Sequence, residues 1–235
     1  MGISRIDPTS QTSSGFVAYF DILGYKRVLT ANSAEESLRI FNDAMLRSVE
    51  DTKRNFGKII IKPNVLVVSD SILLLLPDKL ESKAGEPAPI MFLFFCAALM
   101  TSLLQRGLPA RGAVSSGEFC IGSKRNQIVY VGEPIVKAIE LANSLEVSAC
   151  AIAPTTESKL ADQHCRQCLE LYETPMKGQP KCELYLLKYH FKPASITRER
   201  LIRCFTKHKK PLDSNSLPKF NNTVHFLRKC QQLTD

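Results

Sequence analysis

Apolar positions alternate with period two in some stretches and recur at helical spacing in others, which divides the chain into a mixed succession of elements. Phe16-Val17-Ala18-Tyr19-Phe20-Asp21-Ile22 reads as a strand rich in β-branched and aromatic residues, closed by Gly24. Ser33-x-x-Glu36 is a capping box, and Leu38, Phe41, Met45 and Val49 follow at helical spacing as far as Asn55 to Gly57. Lys58 to Val68 and Ser71 to Leu76 are apolar strands with only Ser69-Asp70 between them, so a tight hairpin is expected with Asp70 at its tip. Pro77 to Pro89 is a loop, and a buried helix over 90–105 is stopped by Gly107 and Pro109. Ala110 to Phe119 and Ile128 to Val131 are further strands. Gly132-Glu133-Pro134 opens a helix in which Pro134 sits harmlessly in the first turn. Val147 to Ala153 is a short strand, and Leu169 to Thr174 with Cys182 to Tyr189 forms a last hairpin.

The front half therefore runs β-α-β-β-α-β, a ferredoxin-like split arrangement, and the fold class is α+β. Residues 1–15 form a polar, frayed start, 16–190 one domain, and 191–235 a basic, partly helical C-terminal extension. The arrangement hosts many activities and fixes none.

Charge sharpens this division. The 235-residue chain carries a formal +8, but Phe191 to Asp235 contains ten basic and three acidic residues, a local +7. Subtracting 7 from 8 leaves +1 for residues 1–190, so the body is nearly neutral and the excess belongs to the extension. Basic residues interleaved there with Phe205 and Phe226 fit helices packed on one face and solvated on the other, and no nucleic-acid partner is expected. The start lacks an apolar signal segment, and Ile6 breaks the myristoylation pattern after Gly2. The longest apolar run, Ile90 to Leu104, falls short of the roughly 18 residues a membrane span needs, so no span is expected. Eight cysteines without a signal segment read as reduced thiols of a cytoplasmic protein. His164-Cys165-x-x-Cys168 lacks the second ligand pair of a structural zinc site.

Two carboxylates stand out. Asp21 and Asp70 each end an apolar strand, and a carboxylate in such a run is costly to bury unless paired or bound to a cation. If the first strand lies beside the hairpin, the two converge. Carboxylates with backbone carbonyls suit Mg²⁺ or Mn²⁺; two ordinary turn aspartates would show the same pattern.

Phe20-Asp21-Ile22-Leu23-Gly24-Tyr25 resembles the F-x-D-I-x-G-F strand end of the class III nucleotidyl cyclases. Ser69-Asp70-Ser71-Ile72 resembles their second metal-aspartate hairpin. Arg111-Gly112-Ala113-Val114-Ser115-Ser116-Gly117 is similar to their R-x-G-I-x-x-G strand, and Gly132-Glu133-Pro134-Ile135-Val136-Lys137-Ala138 takes the place of their G-x-x-V-N-x-A helix. The four segments occur in family order and cover roughly residues 16–150. Within the family, a short solitary domain with Ser-Asp-Ser in the hairpin most resembles the bacterial pyrimidine cyclases of the Pycsar anti-phage system, which make cyclic UMP or cyclic CMP for a separate effector protein.

The resemblance implies a homodimer with active sites at the interface and two divalent ions per site, Mn²⁺ or Mg²⁺. Asp21 and Asp70 would bridge the ions, with the Ile22 carbonyl as a third ligand. Backbone N–H groups of Leu23, Gly24 and Tyr25 would cradle the β- and γ-phosphates of UTP or CTP, and Phe20 is a further substrate-binding candidate. A lysine that reads the base in purine cyclases falls at Asn64, whose amide offers a donor and an acceptor to uracil; Lys62 is its neighbour. The sequence departs from the family at Val136 and Glu140, where a transition-state Asn and Arg are expected. Arg111, Lys124, Arg125 and Lys137 are the candidate replacements. Arg111 also suits a structural pair with Glu118 or Glu133.

Overall fold

The computed structural model describes residues 11–57, 63–78, 88–124, 127–191 and 195–234. β1 (Gln11–Ile22) leads into α1 (Tyr25–Ala31), α2 (Ala34–Ile40), a π-helical stretch Phe41–Leu46, and α3 (Arg47–Gly57). β2 (Asn64–Val68) and β3 (Ser71–Pro77) form the hairpin, followed by α4 (Ala88–Gln105) and β4 (Ala110–Lys124). Among the described residues these and later strands make an eight-stranded sheet. Its first four strands lie in the order β2-β3-β1-β4, all neighbours antiparallel. That is the split βαββαβ arrangement expected from the sequence.

The chain continues with β5 (Gln127–Val131), which pairs with β4, then α5 (Glu133–Ser144) and β6 (Cys150–Ile152), parallel to β4. A 3₁₀ turn (Pro154–Leu160) and a short helix, α6 (Gln163–Gln167), precede the hairpin β7 (Leu169–Met176) and β8 (Gln179–Leu187). β9 (Ile196–Thr197), α7 (Arg198–Thr206), α8 (Leu217–Lys229) and β10 (Leu233–Thr234) complete the chain.

Two local differences from the sequence reading have plain causes. Gln11 to Ser14 are not frayed, because β4 is long enough to pair with them at Ile121 to Glu118. α1 carries too short a periodic pattern to register. Ser33 caps α2 by accepting from the Glu36 N–H at 3.2 Å, as the capping box requires. The predicted strand from Lys58 is described only from Asn64, and Lys62 and Arg125 lie outside the described residues.

Period-two alternation gives the sheet two apolar faces. Phe16, Ala18, Phe20 and Ile22 point into the main core with α3, α4 and the C-terminal helices. Val17 points to the other face, where Leu75, Phe119, Ile135 and Ala138 pack with α5. α4 is 18 residues long with mean hydropathy 1.8, and most of it is buried in the main core. The eight cysteines are free thiols; the Cys96 and Cys150 thiols are fully buried, which raises their pKa values.

Gly112 lets β1 and β4 close on each other. A Cβ there would sit 2.4 Å from the Phe20 ring and 2.7 Å from the Tyr19 carbonyl oxygen. Gly112→Ala should therefore cost about 1–3 kcal/mol through overpacking, read as a lowered denaturation midpoint. An unchanged midpoint would show that the strands can part.

The extension over 191–235 shares the main core. Leu201, Phe205, Phe220, Phe226 and Leu227 are buried in the same cluster as Phe20 and α4. Phe226 packs edge-on against Tyr172 of β7, and Thr223 of α8 accepts the Ser148 backbone N–H at 3.0 Å.

Candidate active site

The register of β1 assembles the site. Asp21 lies opposite Ser71 on one side and Arg111 on the other, so all three side chains share the face covered by α5. Two backbone hydrogen bonds clamp the end of β1. The Ile22 N–H donates to the Asp70 carbonyl at 3.1 Å, and the Leu23 N–H donates to the Pro109 carbonyl at 2.8 Å. The hairpin turn that carries Asp70 is thereby held against Asp21. Ser69 takes the left-handed conformation, φ 55°, that a two-residue hairpin turn demands. Gly24 also lies there, φ 78°, ending the strand and starting α1 without Cβ strain.

Arg111 donates from Nε to Asp21 Oδ2 at 2.9 Å. Its other nitrogens reach the Asn143 carbonyl at 2.8 Å and Asn143 Oδ1 at 3.2 Å, anchoring it to the end of α5. Neither Glu118 nor Glu133, the acidic partners suggested by sequence, takes it. Tyr19 Oη lies 2.7 Å from Ser71 Oγ, and the Ser69 hydroxyl donates to Tyr25 Oη at 3.2 Å, which draws Tyr25 toward the hairpin tip.

Burial pushes the Asp21 carboxyl above its ordinary pKa; Arg111 opposes this and the nearby Asp70 carboxylate adds to it. Burial likewise raises Tyr19, with Asp21 and Asp70 acting in the same direction against the Ser71 hydrogen bond. Two neighbouring carboxylates, one desolvated and with a single cationic partner at Oδ2, form an oxygen-rich donor set that a hard divalent cation satisfies. No cluster of three or more His, Cys, Asp or Glu side chains is present among the described residues, so further ligands would be backbone oxygens, water or a bound phosphate.

Asp21, Ile22, Leu23, Gly24, Tyr25, Asp70 and Arg111 thus come together at one end of the sheet. Phe20 does not join them. It is fully buried on the opposite face, because alternation along β1 turns it away from Asp21, and it is a core residue. The Leu23 N–H is occupied by Pro109, leaving Gly24 and Tyr25 for the expected phosphate contacts. Asn64 is exposed at the far end of β2, about 13 Å along the strand from Val68 at roughly 3.3 Å per residue. Lys137 is paired with Glu133 at 2.9 Å along α5, and Val136 and Glu140 are exposed on that helix. Asn143 escaped the sequence reading, since a single Asn near a helix end carries no pattern.

No family model matches the sequence, and no curated protein is similar to it. Solved structures are. The adenylyl cyclase CyaB from P. aeruginosa superimposes with a TM-score of 0.59 at 14% identity, over 78% of this chain and 97% of that one. The guanylyl cyclase Cya2 gives 0.56 at 13% identity, over 78% and 96%. The guanylate cyclase domain of RhGC from Catenaria anguillulae, in complex with GTP, gives 0.52 at 14% identity, over 77% and 100%. With its βαββαβ sheet and its two aspartates on adjacent strand ends, the chain has the fold of class III nucleotidyl cyclase domains.

Proposed function

We propose that the protein is a nucleotidyl cyclase that converts UTP to 3′,5′-cyclic UMP and pyrophosphate, a second messenger read by a separate effector in anti-phage defence. The observation that carries the reading is the pair Asp21 and Asp70 on hydrogen-bonded strand ends, within a fold shared with adenylyl and guanylyl cyclases. Cytidylate and purine cyclisation use the same machinery and remain the alternatives for the base.

The reaction joins the ribose 3′-oxygen to the α-phosphorus and expels pyrophosphate. Asp21, Asp70 and the Ile22 carbonyl would hold two divalent ions, Mn²⁺ or Mg²⁺, whose chemistry is to acidify the attacking hydroxyl and neutralise the phosphates. Arg111 fixes Asp21 by one oxygen, Oδ2, and brings a guanidinium beside the developing charge. The Gly24 turn lets a phosphate approach the backbone closely. Asn64, with Lys62, is assigned to the base. Because Asn64 stands far along β2 from Asp70, that contact fits a homodimer in which the nucleotide lies across the interface. Ile128, Val129 and Val131 on β5 and Val136 on α5 are exposed apolar side chains that a second copy would cover.

A second reading, a nucleotide-binding protein without turnover, is favoured by Val136 and Glu140, neither of which donates to a developing charge. One experiment separates these. Pure protein incubated with each of the four nucleoside triphosphates and Mn²⁺, then chromatographed, should yield cyclic UMP and pyrophosphate from UTP. Product from ATP or GTP alone would move the assignment to a purine cyclase. Metal-dependent binding without product would leave the regulator.

A further inference from the structure

On the helical side of the sheet, a small cleft of about 150 Å³ is walled by the end of α2, the π-helical stretch, Arg106 just beyond α4, and the connection between α7 and α8. Ile40 and Ala44, which line it, are buried in the main core. The Asp21 carboxylate lies on the opposite face, under α5, and no residue of the strand-end site lines this cleft. Its charged lining is mostly cationic: Arg39, Arg106 and Lys207, against the single carboxylate of Asp43. Arg106 is committed to Asp51 at 2.5 Å and to the Asp43 carbonyl at 3.3 Å. Asp43 is paired with Arg47 at 3.2 Å. Arg39 and Lys207 are exposed, and neither has an ion pair or a side-chain hydrogen bond among the described residues. With the two ion pairs cancelled, their two positive charges stand uncompensated.

His208 completes the lining. Its Nε2 lies 2.9 Å from the Arg106 carbonyl, which can only accept, so Nε2 carries the proton and Nδ1 is the acceptor of the neutral ring. Burial lowers the His208 pKa, and Lys207, Lys210 and Arg39 act in the same direction. Arg39 and Lys207, from opposite ends of the chain, thus both bear on one imidazole. Two backbone irregularities meet here as well. Phe41–Leu46 is π-helical, a form found frequently at functional sites. His208 and Lys209 take left-handed conformations, φ 62° and 60°, which are uncommon outside glycine. The volume equals that of about five waters at roughly 30 Å³ each, room for a hydrated tetrahedral oxyanion and too little for a nucleoside. An arginine fork beside a lysine point charge matches the oxygens of a phosphate.

We propose that this cleft binds a phosphate group, free orthophosphate or the end of a phosphomonoester, between Arg39 and Lys207 with His208 beside them, and that the bound group ties α2 to the connection between α7 and α8. The site uses neither aspartate and needs no metal, so it stands whether or not the protein turns over a nucleotide. Its two free cations come from the N-terminal helices and from the C-terminal extension, and like charges so placed repel until an anion joins them.

Calorimetric titration of the full-length, metal-free protein tests this, with inorganic phosphate and ribose 5-phosphate as ligands in chloride buffer of fixed ionic strength. At least one of the two should bind, and should raise the melting temperature, because only the folded state holds the site. Arg39→Gln combined with Lys207→Gln removes two exposed, unpaired charges and should weaken binding about tenfold or more. Should the pair destabilise the chain, Arg39→Gln alone, on exposed α2, repeats the test with a smaller loss. Lys209→Gln is the control: its ammonium is paired with Glu36 at 3.1 Å and does not line the cleft, so affinity should hold. Tighter binding of ribose 5-phosphate assigns the monoester, tighter binding of orthophosphate the free ion, and equal affinity shows that the phosphate group alone is read. Three results would overturn the site: no binding of either ligand, binding indifferent to Arg39 and Lys207, or an equal loss in Lys209→Gln, which would reduce it to general surface charge.

Discussion

Asp21→Asn and Asp70→Asn are each expected to lower cyclic nucleotide formation more than tenfold, a rise of over about 1.4 kcal/mol in the barrier, while the fold survives. In the proposed reaction two anionic carboxylates would hold the divalent ions, and a neutral amide oxygen is a weaker ligand for them than a carboxylate. Folding does not need the charge at position 21, whose ionised form is penalised by burial before Arg111 compensates it. An unchanged melting temperature beside lost turnover, and lost Mn²⁺ binding by electron paramagnetic resonance, is the expected combination. Either variant retaining more than a tenth of the activity removes that residue from the metal site.

Phe226→Ala should destabilise the whole protein by about 3–5 kcal/mol, the range for deleting a buried aromatic. Phe226 is fully buried, meets Tyr172 edge-on with ring centroids 5.4 Å apart, and shares the main core with Phe20. Domains of this kind are stable by only about 5–15 kcal/mol, so removing residues 195–235 entirely should leave the body unfolded or aggregated. Chemical denaturation of Phe226→Ala against the unmodified chain checks this. A shift below about 1 kcal/mol, or a truncated body that unfolds cooperatively at the same midpoint, would show that the extension is a detachable appendage.

Much of the site was legible because its signals are local. Asp21 ends an apolar strand, Asp70 sits in a two-residue turn, and the capping box at Ser33 announces its helix. The sheet order follows from the element order by the ferredoxin-like rule. What stayed hidden depends on long-range contacts. Arg111 chooses Asp21 over the nearer glutamates because antiparallel register sets the two side by side. Phe20 belongs to the core because one residue of alternation turns it to the other face. Asn143 and Lys210 meet their partners across 32 and 103 positions of chain, and a single Asn or Lys in a polar stretch carries no mark of that. The basic tail looked like an addition since charge dominated its composition. Its apolar residues, spaced for two helices, were the better guide to its place.

The clamp at the end of β1 has a consequence for motion. With the Ile22 and Leu23 amides tied to Asp70 and Pro109 on opposite sides, Asp21 cannot shift without dragging the hairpin and the start of β4 with it. If the chain turns over a nucleotide as proposed, any opening that admits it and lets pyrophosphate leave would come from segments outside the clamp. The connection between α7 and α8 is one such segment: His208 and Lys209 both hold left-handed backbone conformations, φ 62° and 60°, immediately before Lys210. The carboxylates are the fixed jaw, held by backbone bonds, whereas this connection is held by side chains, His208 on the Arg106 carbonyl and Lys210 on the Gly107 carbonyl.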